Sequence, residues 1–207
     1  MAEEADLADE EKGSEGKEKD EKGPGNAGKL LFESRQVPVF GAVDSKLANK
    51  VISHLLALEA DDPEAPITMI LNSPGGSVSD GFAIYDAMRF IQPDVKVVCT
   101  GLAASIATVI LLGAKKEHRL AMPSAKLLIH QVYIPGVVRG QASDLEITAK
   151  ELIQTRKTIN ELYVRETGQD LERIEKDTNR DYWMTADEAV EYGLIARVVS
   201  SRADLAD

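Results

Sequence analysis

The chain is poor in the residues that several kinds of site require. Its single cysteine, Cys99 in the apolar run VKVVCT, cannot close an intramolecular disulfide, so no oxidising compartment is implied. Only three histidines are present, His54, His118 and His130, and neither they nor the thiol fall into a metal-ligand spacing. No Walker or dinucleotide glycine fingerprint follows a strand, so no nucleotide site is expected. Basic residues are in deficit: 24 Lys and Arg against 35 Asp and Glu leave a formal charge of −11. That balance argues against nucleic acid or an anionic membrane surface as the main partner. The first residues, charged from Glu3 onward, lack the apolar stretch of a secretory leader, and a cytoplasmic location is the expectation. Long apolar runs are scarce too. Val97 to Ala114 is uncharged but only reaches the lower limit of a membrane span. Its β-branched start and Gly101 read as a buried strand followed by a buried helix.

What remains is a globular α/β composition. A hydrophobic fraction of 43% supports a packed core. Residues 1–28 stand apart, with ten acidic and four basic side chains and only Met1 and Leu7 as large apolar residues. They bury too little to offset ordering entropy, which predicts a disordered tail or propeptide ahead of one domain over 29–207.

From Lys29 onward strands and helices alternate. QVPVFGAV reads as an edge strand because of Pro38. A helix follows over 46–60, capped by Asp44 or Ser45, with Leu47, Val51, Leu55 and Leu58 on one face. ITMIL (67–71) is a strand and NSPGGS a loop; then come a helix over 78–91, a strand over 95–100, a helix from about Ser105 to Ala114 and a strand over 125–130. A long helix is predicted from about Gln141 to Thr167 and a shorter one over 170–177. TADE (185–188) is a capping box opening a helix that Gly193 closes, before a last strand in LIARVV. Repeated β-α-β units imply a mainly parallel sheet covered by helices.

In such sheets ligands gather beyond the carboxyl ends of the strands. Three polar features lie there: the Pro74-Gly75-Gly76 loop, Ser105 and His130. A serine hydroxyl needs a base to become a nucleophile, and taken alone Ser105 reads as a helix cap. Of the three histidines, His54 is mid-helix and His118 sits in the charged loop KKEHR, whereas His130 ends an apolar strand, as a base on a rigid element would. A carboxylate should orient the imidazole. Asp144, Asp177 and Asp181 all qualify, and spacing does not choose among them. Paired glycines in NSPGGS allow close approach of backbone N–H groups to an oxyanion. The chemistry that fits these parts is nucleophile–base–acid hydrolysis.

The segments NSPGGSVSDGFAIYDAMRFIQPDV, GLAASIATVILLGAKKEHRLAMPSAKLLIHQ, GQASDLEITAKEL and TGQDLERIEKDTNRDYWMTADEAVEYGLI run in one order between about Val39 and Val199. Together they resemble the Clp protease proteolytic subunit (ClpP) family of cytoplasmic serine endopeptidases. The resemblance implies a crotonase-like α/β fold, a spiral of β-α-β units with a protruding strand-helix handle at about 132–167. It implies Ser105 as nucleophile, His130 as general base and Asp181 as orienting acid, with backbone N–H groups of Gly76 and Ile106 as the oxyanion hole. Arg180 resembles a ring-contact arginine. Two stacked heptameric rings, a tetradecamer, are implied, with the handle strand pairing with substrate peptide. ATP would be consumed by a separate AAA+ Clp-type unfoldase, so no cofactor is implied in this chain.

Three features depart from the family pattern. The acidic tail replaces the usual axial-loop sequence, ITMIL lacks the tyrosines of the ATPase-docking pocket, and HQVYIPGVVRGQ carries Val132 for a proline and is two residues longer. These bear on ATPase docking, gating and handle geometry. Two other classes of function fit less well: a structural ring subunit working beside an active paralogue, and an acyl-CoA-handling enzyme of crotonase-like fold. Neither needs Ser105, His130 and Asp181 together.

Overall fold

The computed structural model describes residues 26–134 and 136–205. Most of the tail expected over 1–28 therefore lies outside the described residues. Its last residues, with Lys29 onward, form a short helix that no sequence signal announced, α1 (Ala27–Glu33). Phe32 from α1 stacks on His54, ring centroids 5.9 Å apart, so burial of one aromatic face holds a segment with little helical periodicity of its own.

Among the described residues β1 (Gln36–Phe40) pairs only with β2 (Ile67–Ser73), so Pro38 lies in an edge strand there. Between them runs α2 (Ser45–Asp61), whose first turn is capped by Asp44 Oδ1 accepting from the Leu47 N–H at 2.8 Å. α3 (Val78–Phe90) starts at Ser77, whose hydroxyl accepts from the Asp80 N–H. α2 buries Val51, Leu55 and Leu58, and α3 buries Ile84, Tyr85 and Met88, each set at helical spacing.

β3 (Val95–Ala104) is four residues longer than its sequence pattern and changes partner midway. Val97 to Cys99 pair with β4 (Arg119–Ala121), whereas Leu102 to Ala104 pair with β5 (Lys126–Ile129). Gly101 makes the switch possible, because its φ of +65° lies in the left-handed region. The register against β2 jumps there, from Leu71↔Cys99 to Ser73↔Ala103, and Asn72 Oδ1 accepts the displaced Leu102 N–H at 3.1 Å. Such a bulge bends the strand and re-aims its end. α4 (Ile106–Leu111), entirely buried, follows at once. The uncharged run Val97 to Ala114 is thus a strand and a short helix, and among the described residues no helix is long and apolar enough to cross a membrane.

The charged loop KKEHR is more structured than its composition suggests. Lys116–His118 form one 3-10 turn, and Arg119 enters β4 with 1% of its surface exposed. That turn is drawn onto the body, so His118 is half-buried rather than on the surface. Arg119 donates to the carbonyls of Leu112 and Ala114 just beyond α4, and pairs with Glu166 on α5 (Ala142–Thr167).

α5 closes on Gly168 in the left-handed conformation and packs Ile159, Leu162 and Tyr163 into the core. Its first half leaves Leu145, Ile147 and Ile153 exposed. Ahead of it, the described residues of 131–141 carry no strand ladder, so of the expected strand-helix handle they show only the helix. α6 (Leu171–Thr178) leads to β6 (Tyr182–Thr185), which runs antiparallel to β5. No sequence signal announces a strand at YWMT. The expected capping box is present: Thr185 and Glu188 exchange hydrogen bonds around the start of α7 (Ala186–Tyr192). β7 (Arg197–Val198) closes the sheet order β1-β2-β3-β4-β7.

Candidate active site

The partner switch in β3 decides where polar groups meet. It brings the carboxyl ends of β2, β3 and β5 side by side, and each is followed within three residues by a polar feature. Ser73 ends β2 ahead of Gly75 and Gly76, Ser105 follows β3, and His130 follows β5. Gly75, Gly76, Ser105 and His130 line one cleft of about 1130 Å³, together with Arg180 and Asp181 from the turn before β6.

Ser105 has φ 57° and ψ −129°, a region sparsely populated by residues with a Cβ and typical of strained functional positions. Its N–H donates to the Leu128 carbonyl of β5 at 2.9 Å, and its carbonyl accepts from the Thr108 N–H at 3.0 Å. The hydroxyl caps nothing, so the simple helix-cap reading does not hold. The strained turn instead directs the backbone bonds into the fold and leaves the side chain at the cleft.

Gly75 and Gly76 fit against that turn. A Cβ on Gly75 would stand 2.6 Å from the Ala104 carbonyl oxygen and 2.7 Å from Ser105 Cβ. A Cβ on Gly76 would stand 2.2 Å from the Val43 oxygen. Both have positive φ, so a side chain is excluded by space and by backbone alike. Ile106 is buried behind the cleft, its amide nitrogen 3.2 Å from the same Gly75 Cβ position. The backbone of the glycine loop and that of the serine turn are therefore in direct contact. Gly75→Ala is expected to push the serine turn out of place and slow covalent labelling of Ser105 by about 10²-fold, the usual consequence of a 1 Å displacement. Intact labelling in a folded Gly75→Ala chain would contradict it.

His130 Nδ1 lies 3.3 Å from Asp181 Oδ1, and its side chain is 16% exposed. Of the three candidate acids, this settles which one faces the imidazole. Asp177 is held by the Tyr192 hydroxyl at 3.0 Å and by Arg173 at 3.5 Å, and Asp144 is exposed in the first turn of α5. Gln131 couples the two sides: its backbone N–H donates to the Thr178 carbonyl, and its Nε2 donates to the Asn179 carbonyl at 2.8 Å. Tyr133 packs edge-on against His130, centroids 5.5 Å apart. Neither Gln131 nor Tyr133 carries a sequence signal beyond its adjacency to His130. Arg180 lines the cleft and donates to the Asn179 carbonyl at 3.2 Å.

A serine in a strained turn, an imidazole facing a carboxylate and a glycine loop along the same cleft are the parts an acyl-transfer site requires. The family model described as Clp protease matches residues 21–202. That match spans most of the chain and, with the parallel sheet and its helices, establishes that the chain belongs to the Clp protease family and has its crotonase-like α/β fold.

Proposed function

We propose that the chain is an active serine endopeptidase, the proteolytic subunit of a self-compartmentalised Clp-type protease in the cytoplasm. The observation that carries this reading is the His130–Asp181 contact at 3.3 Å in the cleft that Ser105 lines. With Nδ1 facing the carboxylate, the proton sits on Nδ1 and Nε2 carries the lone pair. Nε2 then takes the Ser105 proton as Oγ attacks the peptide carbonyl, and returns it to the leaving amine. The N–H groups of Gly76 and Ile106 receive the negative charge on the tetrahedral oxygen. Water repeats the sequence to release the acyl group. Every group in this scheme is a side chain or backbone group of the chain, and no cofactor enters it.

Family members generally form rings and work with AAA+ ATPases. The same organisation is proposed here: two stacked heptameric rings interlocked through α5, with an ATPase delivering unfolded protein. Exposed Leu145, Ile147 and Ile153 on the first half of α5 supply apolar surface for such contacts. Asp181 is 65% exposed in the single chain, and a neighbouring subunit contacted through Arg180 would cover it.

The test is a fluorophosphonate probe on the wild-type chain, with small-peptide hydrolysis and light scattering on the same sample. A stoichiometric adduct mapped to Ser105 by mass spectrometry is expected. Assembled rings that neither label nor cleave, alone or with a paralogue, would leave only the structural-subunit reading.

A further inference from the structure

Thr108 joins two groups far apart in the sequence. Its Oγ1 lies 2.6 Å from the Ser105 carbonyl oxygen and 2.5 Å from the Tyr163 hydroxyl on α5. Thr108 is fully buried and Tyr163 is 1% exposed. A carbonyl oxygen can only accept, so the Thr108 proton points to Ser105, and Tyr163 is the donor to Thr108. The chain of bonds therefore has one direction, from the Tyr163 O–H through the Thr108 O–H to the Ser105 carbonyl. Burial pushes the Tyr163 hydroxyl up to about 12, against a smaller opposing effect of its bond to Thr108, so it keeps its proton at neutral pH.

We propose that Thr108 and Tyr163 are positioning residues for the nucleophile, holding the Ser105 peptide in the strained conformation that presents Oγ to the cleft. This rests on the reading of Ser105 as nucleophile. The Ser105 N–H is anchored on β5 through Leu128. Its carbonyl receives two bonds from Thr108, one from the amide and one from the hydroxyl. The amide bond is ordinary helix geometry, but the hydroxyl bond has a buried partner of its own on another helix. A threonine bonding back to the preceding turn has no need of such a partner. Tyr163 fixes the rotamer of Thr108, and Thr108 fixes the carbonyl at a residue with φ 57°.

Four variants separate positioning from packing: Thr108→Val, Tyr163→Phe, the double variant and Thr108→Ser. Thr108→Val strands a buried tyrosine hydroxyl and is expected to lower the thermal midpoint. Adding Tyr163→Phe removes that hydroxyl and should restore most of the loss, because an apolar pair of the same shape is nearly neutral. In the double variant kcat and the fluorophosphonate labelling rate should nevertheless stay about tenfold below wild type with KM unchanged, as for loss of about one hydrogen bond from the barrier. Thr108→Ser, which keeps the hydroxyl, should remain near wild type in both. Recovery of kcat together with stability in the double variant would overturn the proposal. So would wild-type kcat in Thr108→Val. A wild-type chain that never labels at Ser105 would remove the nucleophile reading itself, and this inference with it.

Discussion

Ser105→Ala is expected to lower peptide hydrolysis by about 10⁴- to 10⁶-fold and to abolish fluorophosphonate labelling, without changing assembly or the far-ultraviolet circular dichroism. The hydroxyl caps no helix and makes no backbone bond that the fold depends on, so its removal costs chemistry and little else. The backbone at this position carries a second, opposite effect. A residue with a Cβ at φ 57° and ψ −129° holds about 1–3 kcal/mol of strain, which glycine does not. Ser105→Gly should be as inactive as Ser105→Ala yet melt a few degrees above it, after allowance for glycine's greater unfolded entropy. Calorimetry of the two variants side by side reads the difference. A Ser105→Ala chain that retains more than about one part in a hundred of wild-type hydrolysis would remove Ser105 from the mechanism.

The second large effect lies outside the cleft. Arg119 and Glu166 form an ion pair whose cation is buried and whose carboxylate is half-buried, with 1% and 13% of their side chains exposed. The guanidinium also donates to the carbonyls of Leu112, Ala114 and Glu166, so it ties the end of α4 to the end of α5. Glu166→Ala leaves this cation buried without its counterion, and a loss of about 3–5 kcal/mol is expected in chemical denaturation. Replacing both partners with apolar residues of similar volume, as in Arg119→Met with Glu166→Leu, should recover much of that loss, although the α4 carbonyls would then lack a donor.

The same pair sets a pH dependence. Burial by itself would raise the Glu166 carboxyl, but hydrogen bonds and charge from Arg119 and Arg165 outweigh it and hold the group below its ordinary value of 4.5. A carboxylate whose folded pKa is depressed contributes stability above its unfolded pKa. That contribution is lost as pH falls through the folded value. Wild-type stability should therefore decline below about pH 4.5 more steeply than that of Glu166→Ala. Asp62, Glu188 and Asp204 are lowered by backbone hydrogen bonds and act with the same sign, but both proteins share them, so they cancel in the comparison. Parallel acid-denaturation profiles for the two proteins would show that Glu166 is not bound as described.

Much of the architecture was legible in short stretches of sequence. The caps of α2 and α7 and the glycine stop after α7 depend on bonds closed within a few residues, and the edge position of Pro38 follows from its missing N–H. The glycine pair, the serine and the histidine were legible for a related reason. They end parallel strands, and strand ends are readable wherever an apolar run stops.

Other features were set by contacts between distant segments. YWMT became a strand because β5 offered an open edge beside it, and Arg119 became buried because β4 carried it between the ends of two helices. Asp144, Asp177 and Asp181 are equivalent in type and comparable in spacing. Only the packing of α6 against α5 and of β6 against β5 puts Asp181, and not the others, against His130. By itself the sequence determined an α/β chain with a serine and a histidine at strand ends. The tertiary structure decided that β3 would bend at Gly101 from β4 to β5, because a glycine at φ +65° and one asparagine side chain can satisfy the backbone at a bulge where a regular ladder cannot. That bend brings the serine, the histidine and the glycine loop into one cleft.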